Sequence, residues 1–261
     1  MTLVDFIKNV FYKVRLQVYR LKWRINNNIV NNHYDGELEF HCDFKGDKLD
    51  TEMFNVGEHW GKVHPRYLNT YWGEPSILKN VASFGTIKEP KVFKVGEQNV
   101  EIPYKCGKIS SYKSFKQKYG YWEAKCMVPV EKGVRSSFWL WGDGDGEPYR
   151  EIDIFEVDGL EGKQKINIHY GDRKDGKSQQ LKTWKLNSII PGRWQRFGLN
   201  WEEDKIEMFV DGLKVFQLTN KKILDQLKYD QWVVMGQDVI GEPNDKSLPM
   251  LVDYIRVFSN V

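Results

Sequence analysis

From about His33 onward, apolar and polar side chains alternate in short runs that are divided by Gly, Pro, Asn and Asp. Examples are residues 119–129 (YGYWEAKCMVP), 136–141 (SSFWLW), 196–201 (RFGLNW), 205–210 (KIEMFV), 213–218 (LKVFQL) and 251–258 (LVDYIRVF). A period of two places alternate side chains on opposite faces of a strand. The pattern therefore predicts many short strands, as in a β-sandwich or jelly roll. Asp211-Gly212 lies between two such runs and supplies the φ > 0 residues that a type I′ hairpin turn needs.

The first thirty residues follow another period. Leu3, Ile7, Val10, Val14, Val18, Leu21 and Ile25 recur at steps of three and four, one apolar stripe of a helix. Lys8, Lys13, Arg15, Arg20, Lys22 and Arg24 interrupt every apolar run, which argues against a transmembrane span or a signal-peptide core. The chain thus divides into a basic amphipathic helix with an Asn-rich linker (1–31) and one β domain (32–261). The stripe suits packing on its own domain or a second copy, or contact with a partner or an anionic membrane surface.

Composition narrows the classes. Hydrophobic residues at 41% and charged residues at 29% exclude wholesale disorder. Basic and acidic residues, 39 against 36, nearly balance, which excludes a dedicated nucleic-acid binder unless the charge is concentrated. Aromatics reach 14% while alanine occurs only at Ala82 and Ala124, a bias that favours pleated sheets and suits flat apolar ligands such as sugar rings. Cys42, Cys106 and Cys126 form no CxxC pair and no even set, so neither a zinc ribbon nor a disulfide framework is expected.

The distinctive chemistry lies in Glu151-Ile-Asp-Ile-Phe-Glu156. In an extended strand Glu151 and Asp153 share one face and Ile152 and Ile154 the other. Strict alternation turns Glu156 away, and a one-residue bulge near Phe155 brings it back. Like charges a pleat apart raise one another's pKa. Glycoside hydrolysis can use this, because one carboxylate must be ionised and another protonated near neutral pH. Two other uses of an acidic strand face stay open, solvation and calcium binding through oxygen ligands. Asp143-Gly144-Asp145-Gly146 imitates an EF-hand opening, but Ile154 stands at the twelfth position, so that motif fails.

The segment resembles the ExDxxE signature of glycoside hydrolase family 16 in its bulged form. The resemblance extends over most of the chain after the N-terminal helix. Residues 44–50 (FKGDKLD) are similar to the family's opening strand and loop. Gly120-Tyr121-Trp122-Glu123-Ala124-Lys125 with Pro129, Phe138-Trp139-Leu140, and 251–257 (LVDYIRV) are similar to three further strands. The resemblance implies a jelly roll of two bent antiparallel sheets with a substrate cleft on one face. It also implies Glu151 as nucleophile, Glu156 as general acid/base and Asp153 as the residue tuning the nucleophile; spacing alone does not distinguish the two glutamates. Trp139 and His169 correspond to cleft positions of the family, and Tyr149, Trp184 and Gln237 are expected to line the cleft. Gly146 stands where laminarinase-type members often carry Trp, and residues 134–140 (VRSSFWL) are closer to galactan-cleaving members.

The function expected is a retaining endo-β-glycoside hydrolase acting on a β-glucan or β-galactan by double displacement. The polysaccharide is its partner, and neither a nucleic acid nor an organic cofactor is called for. No residue set is assigned to a metal, although a structural calcium ion away from the cleft is compatible with the family. Two rival readings are a non-catalytic carbohydrate-binding jelly roll used for attachment, and an assembly protein whose working part is the N-terminal helix.

Overall fold

The computed structural model describes residues 36–64, 68–143, 149–159, 161–171 and 180–260, apart from the side chains of Asp143, Tyr149 and Gln180. The N-terminal helix expected over 1–31 lies outside the described residues. Among the described residues the fold is all-β, with one short helix.

Seventeen strands are formed among the described residues. They are β1 (Leu38–Cys42), β2 (Asn55–Val56), β3 (Thr70–Gly73), β4 (Ser76–Leu78), β5 (Val81–Phe84), β6 (Thr86–Val95), β7 (Gln98–Ser110), β8 (Gly120–Met127) and β9 (Val134–Asp143), then β10 (Tyr149–Asp158), β11 (Gln164–Tyr170), β12 (Gln180–Leu186), β13 (Trp194–Trp201), β14 (Ile206–Val210), β15 (Leu213–Leu218), β16 (Trp232–Val239) and β17 (Met250–Phe258). The helix, α1, is Lys221–Leu224. One sheet runs β15-β14-β13-β8-β17-β5-β4 with β1 on β17; the other runs β12-β11-β10-β9-β16-β7-β2 with β3 and β6 on β7. Among the described residues all strand pairs are antiparallel except β3 with β7, which is parallel. The two strands matched at 120–125 and 251–257 are neighbours, β8 and β17. Asp211 (φ 52°) and Gly212 (φ 79°) make the expected turn between β14 and β15.

Alternation decides what lies between the sheets. Phe138 and Leu140 of β9, Ile152 of β10 and Ile168 of β11 face Trp122, Phe197 and Ile255 of the other sheet in one buried core. Phe155 reaches across, with its ring 4.7 Å from that of Phe197 and 6.2 Å from that of Phe138. Burying large aromatics supplies much of the driving force in such a core. Cys42, Cys106 and Cys126 are buried thiols. The opposite face of the second sheet carries the residues left over from this alternation.

Candidate active site

β10 lies inside that second sheet, between β9 and β11. Asp153 pairs with Trp139 while Phe155, not Ile154, pairs with Phe138, so Ile154 is the extra residue of a β-bulge. Ile152, Ile154, Phe155 and Val157 all enter the core. Glu151, Asp153 and Glu156 are thereby left together on the outer face, as the bulge reading requires. A bulge leaves backbone groups out of the ladder, and here Gln164 compensates. Its buried amide donates to the Ile154 carbonyl at 2.8 Å, and its own carbonyl accepts from Ser188 Oγ. Replacing Gln164 with Leu is expected to destabilise the fold by ~1–3 kcal/mol, because that carbonyl loses its donor in a dry site. Urea unfolding checks this, and an unchanged midpoint would show that the bulge holds without Gln164.

The carboxylates are tied to each other by one amide. Asn167 Nδ2 donates to Asp153 Oδ2 at 2.6 Å and to Glu156 Oε2 at 2.7 Å. Glu156 Oε1 accepts from Arg135 Nη1 at 2.8 Å, so both oxygens of Glu156 are held. Arg135 also donates through Nε to Asp158 at 2.6 Å, and Lys165 bonds the other oxygen of Asp158. Burial alone would raise the Asp158 carboxyl, but Arg135 and Lys165 hold it below the usual range.

Asp153 behaves in the opposite way. It is only 1% exposed. Burial first, then the charges of Glu151 and Glu156 and a side-chain hydrogen bond with Glu151, push its carboxyl well above the ordinary value; His169 opposes this. The buried Asp153 carboxyl therefore favours its protonated form beside Glu151. His169 sits opposite Glu151 on β11, with Nε2 3.6 Å from Glu151 Oε1 and 3.9 Å from Asp153 Oδ2. Glu151, Asp153 and His169 bring one ligand-type atom each within 4.8 Å of one another.

The expected site residues divide into two groups. Glu151, Asp153, Glu156, His169 and Trp139 come together on one face, with Trp139 at the β9 position opposite Asp153. Trp184 does not join them. It pairs with Ile166, a core-facing residue, and its ring lies 4.6 Å from that of Phe216, tilted against it, on the side of the sheet away from the carboxylates. Gln237 is also corrected. It pairs with Ser136, is fully buried, and bonds Thr86 Oγ1 (3.0 Å), Ser136 Oγ and the Leu248 carbonyl. A residue whose amide is spent inside the fold does not line a cleft. Tyr149 opens β10, and its side chain lies outside the described residues. Arg135, Asn167 and Gln164 were not expected at the site. Asn167 was legible in principle, since it stands two residues before His169 and so shares its face.

Comparison with known proteins bears on the family and the fold. The family model for glycosyl hydrolases family 16 matches residues 67–239. The endo-1,3-1,4-beta-glycanase EglC of Rhizobium meliloti is 24% identical over 201 residues, which is 76% of this chain and 42% of that protein. A beta-glucanase of Acetivibrio thermocellus is 28% identical over 165 residues, 60% of this chain and 46% of the relative. The chain thus spans less than half the length of either curated relative. The catalytic domain of an endo-1,3-beta-glucanase (laminarinase) from Thermotoga petrophila superposes with a TM-score of 0.70 at 20% identity, covering 87% of this chain and 98% of that domain. Porphyranase B from Zobellia galactanivorans superposes with a TM-score of 0.65 at 17% identity, covering 84% and 90%.

Proposed function

We propose that this chain, which belongs to glycosyl hydrolases family 16, is a retaining endo-β-glycoside hydrolase that cleaves a β-linked polysaccharide with Glu151 and Glu156. One observation carries the reading: a single bulged strand holds three carboxylates on one face, with Asn167 hydrogen-bonded to two of them. A solvated acidic face has no need of such burial.

In the first step a Glu151 oxygen attacks the anomeric carbon as the glycosidic C–O bond breaks, and Glu156 gives its proton to the departing oxygen. The product is a covalent glycosyl-enzyme ester and a released chain end. In the second step Glu156 takes a proton from water, the water oxygen attacks the same carbon, and the Glu151 ester is released. Asp153, hydrogen-bonded to Glu151, holds that carboxylate in place and disperses its charge as it leaves. Arg135 has Asp158 as a second partner, so Glu156 can turn toward substrate without stranding a guanidinium. Both steps use only carboxylates and water, so no organic cofactor is needed.

The relatives' names favour β-1,3 and mixed β-1,3-1,4 glucans as first substrates, and the similarity of residues 134–140 to galactan-cleaving members adds galactans. Reducing-end release should be measured on β-1,3-glucan, mixed-linkage glucan, xyloglucan, agarose, porphyran and carrageenans. Release on at least one, absent in Glu151→Gln, is the expected result. Binding without release on all of them would instead favour the attachment module.

A further inference from the structure

The outer face of the catalytic sheet is not open across its width. On β12, the outer-face neighbours of the site include Leu181, which is 52% exposed. Moving the other way, Trp139 is 9% exposed, Trp141 4%, and Trp232 and Val234 of β16 are fully buried. These last residues lie on the same face as the carboxylates, since Trp141 pairs with both Glu151 and Trp232, and Trp139 with both Asp153 and Val234. Something other than the opposite sheet covers them.

The cover is a tight turn. Glu58 N donates to Gly61 O and Gly61 N to Glu58 O, each at 3.0 Å, which pushes His59 and Trp60 out at its tip. Gly57 enters the turn at φ +88°, where a Cβ would run into the Gly61 carbonyl. The His59 ring lies 5.2 Å from Trp141 and 5.5 Å from Trp232, and Trp60 lies 5.4 Å from Trp141. Tyr112 closes the outer side, 5.0 Å from Trp232.

The turn is fastened to the sheet by a buried charge cluster. Glu58 pairs with Lys108 at 3.2 Å, Lys108 with Asp238 at 2.7 Å, and Trp72 Nε1 donates to Asp238 at 2.9 Å. Lys108 is 3% exposed and lies 4.5 Å over the Trp72 ring. One oxygen of Glu58 is buried with no hydrogen-bond partner. Buried ion clusters contribute little net stability compared with apolar packing and are better suited to fixing a position. Here the position fixed is that of the turn.

We propose that the Glu58–Gly61 turn is a wall that ends the sugar-binding floor on the β9–β16 side of Glu151 and Glu156, so that this side seats a short stretch of substrate and the rest of the polymer leaves the floor there. The turn already covers Trp141 of β9, the strand next to β10, so the floor left on this side is about one strand spacing, roughly 5 Å, room for about one pyranose unit. His59, Trp60 and Tyr112 are thus specificity-determining residues that set how many sugars are held. The inference deepens the hydrolase reading and rests on it for the nature of the ligand.

Two measurements test it. In the Glu151→Gln background, affinity for mixed-linkage β-gluco-oligosaccharides of three to eight units is expected to stop rising once the short stretch is filled. With Trp60→Ala added, further units should reach the uncovered tryptophan faces and tighten binding by at least about threefold. Identical length dependence in the two proteins would overturn the wall. Absence of binding to every oligosaccharide would count against the hydrolase reading for this substrate class, and the wall is then read without sugar. Acrylamide quenching of tryptophan fluorescence should increase in Trp60→Ala and in Tyr112→Ala, each first shown to melt cooperatively, because Trp141 and Trp232 lose their cover. Unchanged quenching in both would overturn the proposal as well.

Discussion

Glu151→Gln is expected to lower turnover of the active polysaccharide by about 10⁴-fold or more, equivalent to ~5.5 kcal/mol of transition-state stabilisation. Gln keeps the size and planarity of Glu, yet its neutral amide neither bonds to the anomeric carbon nor balances positive charge developing there. The loss should be the same whatever the leaving group, since every route passes through the Glu151 ester. Folding should not suffer. Glu151 is one of three acids crowded on a strand, 7% exposed, and its charge is one of the causes that raise Asp153. Removing that charge relieves repulsion, so the melting temperature is expected to stay level or rise. A variant that retains a tenth of wild-type turnover would remove Glu151 from the nucleophile's role. One that is inactive because it no longer melts cooperatively would say nothing against that role, which is why both measurements belong together.

The fold and the ladder were legible for the same reason: both depend on a period of two. Alternation at 136–141 and at 151–156 assigns each side chain to the core or to the outer face, and the extra apolar residue in Ile154-Phe155 already calls for a bulge. The Asp211-Gly212 turn was legible because few residues take φ > 0 without strain. What the sequence did not reveal depends on pairings between distant segments. Trp184 and Gln237 looked like cleft residues by chemistry alone. Their faces are set by register with Ile166 and Ser136, and no local pattern encodes register. The role of Arg135 was hidden likewise, because its partners Glu156 and Asp158 are more than twenty residues away and are reached only once β9 and β10 pair. The turn at Glu58–Gly61 was hardest to see. Its anchor, Lys108, lies fifty residues further on, and a buried lysine looks in sequence like any surface one.

Glu156→Gln is expected to separate the two chemical steps that Glu151→Gln stops together. On the polysaccharide the leaving group is a poor one, a sugar hydroxyl, and loss of the general acid should lower kcat by about 10²–10⁴-fold. On an aryl β-glycoside with a dinitrophenyl leaving group, the departing oxygen needs no proton. The first step then proceeds at near wild-type rate and gives a burst of released phenol. The second step still lacks its base, so the glycosyl-enzyme accumulates. Azide needs no deprotonation and should restore turnover, releasing a β-glycosyl azide whose retained configuration reports the covalent intermediate. Structure supplies the reason that the substitution is mild for the fold. The substituted amide would still accept from Asn167 or Arg135 through its one carbonyl, while Arg135 keeps Asp158. If the burst and the azide rescue appear in Glu151→Gln instead, the two glutamates exchange roles. Equal losses on both kinds of leaving group, with no rescue, would mean that Glu156 acts on neither proton. The bulge would then serve only to turn its charge toward Arg135.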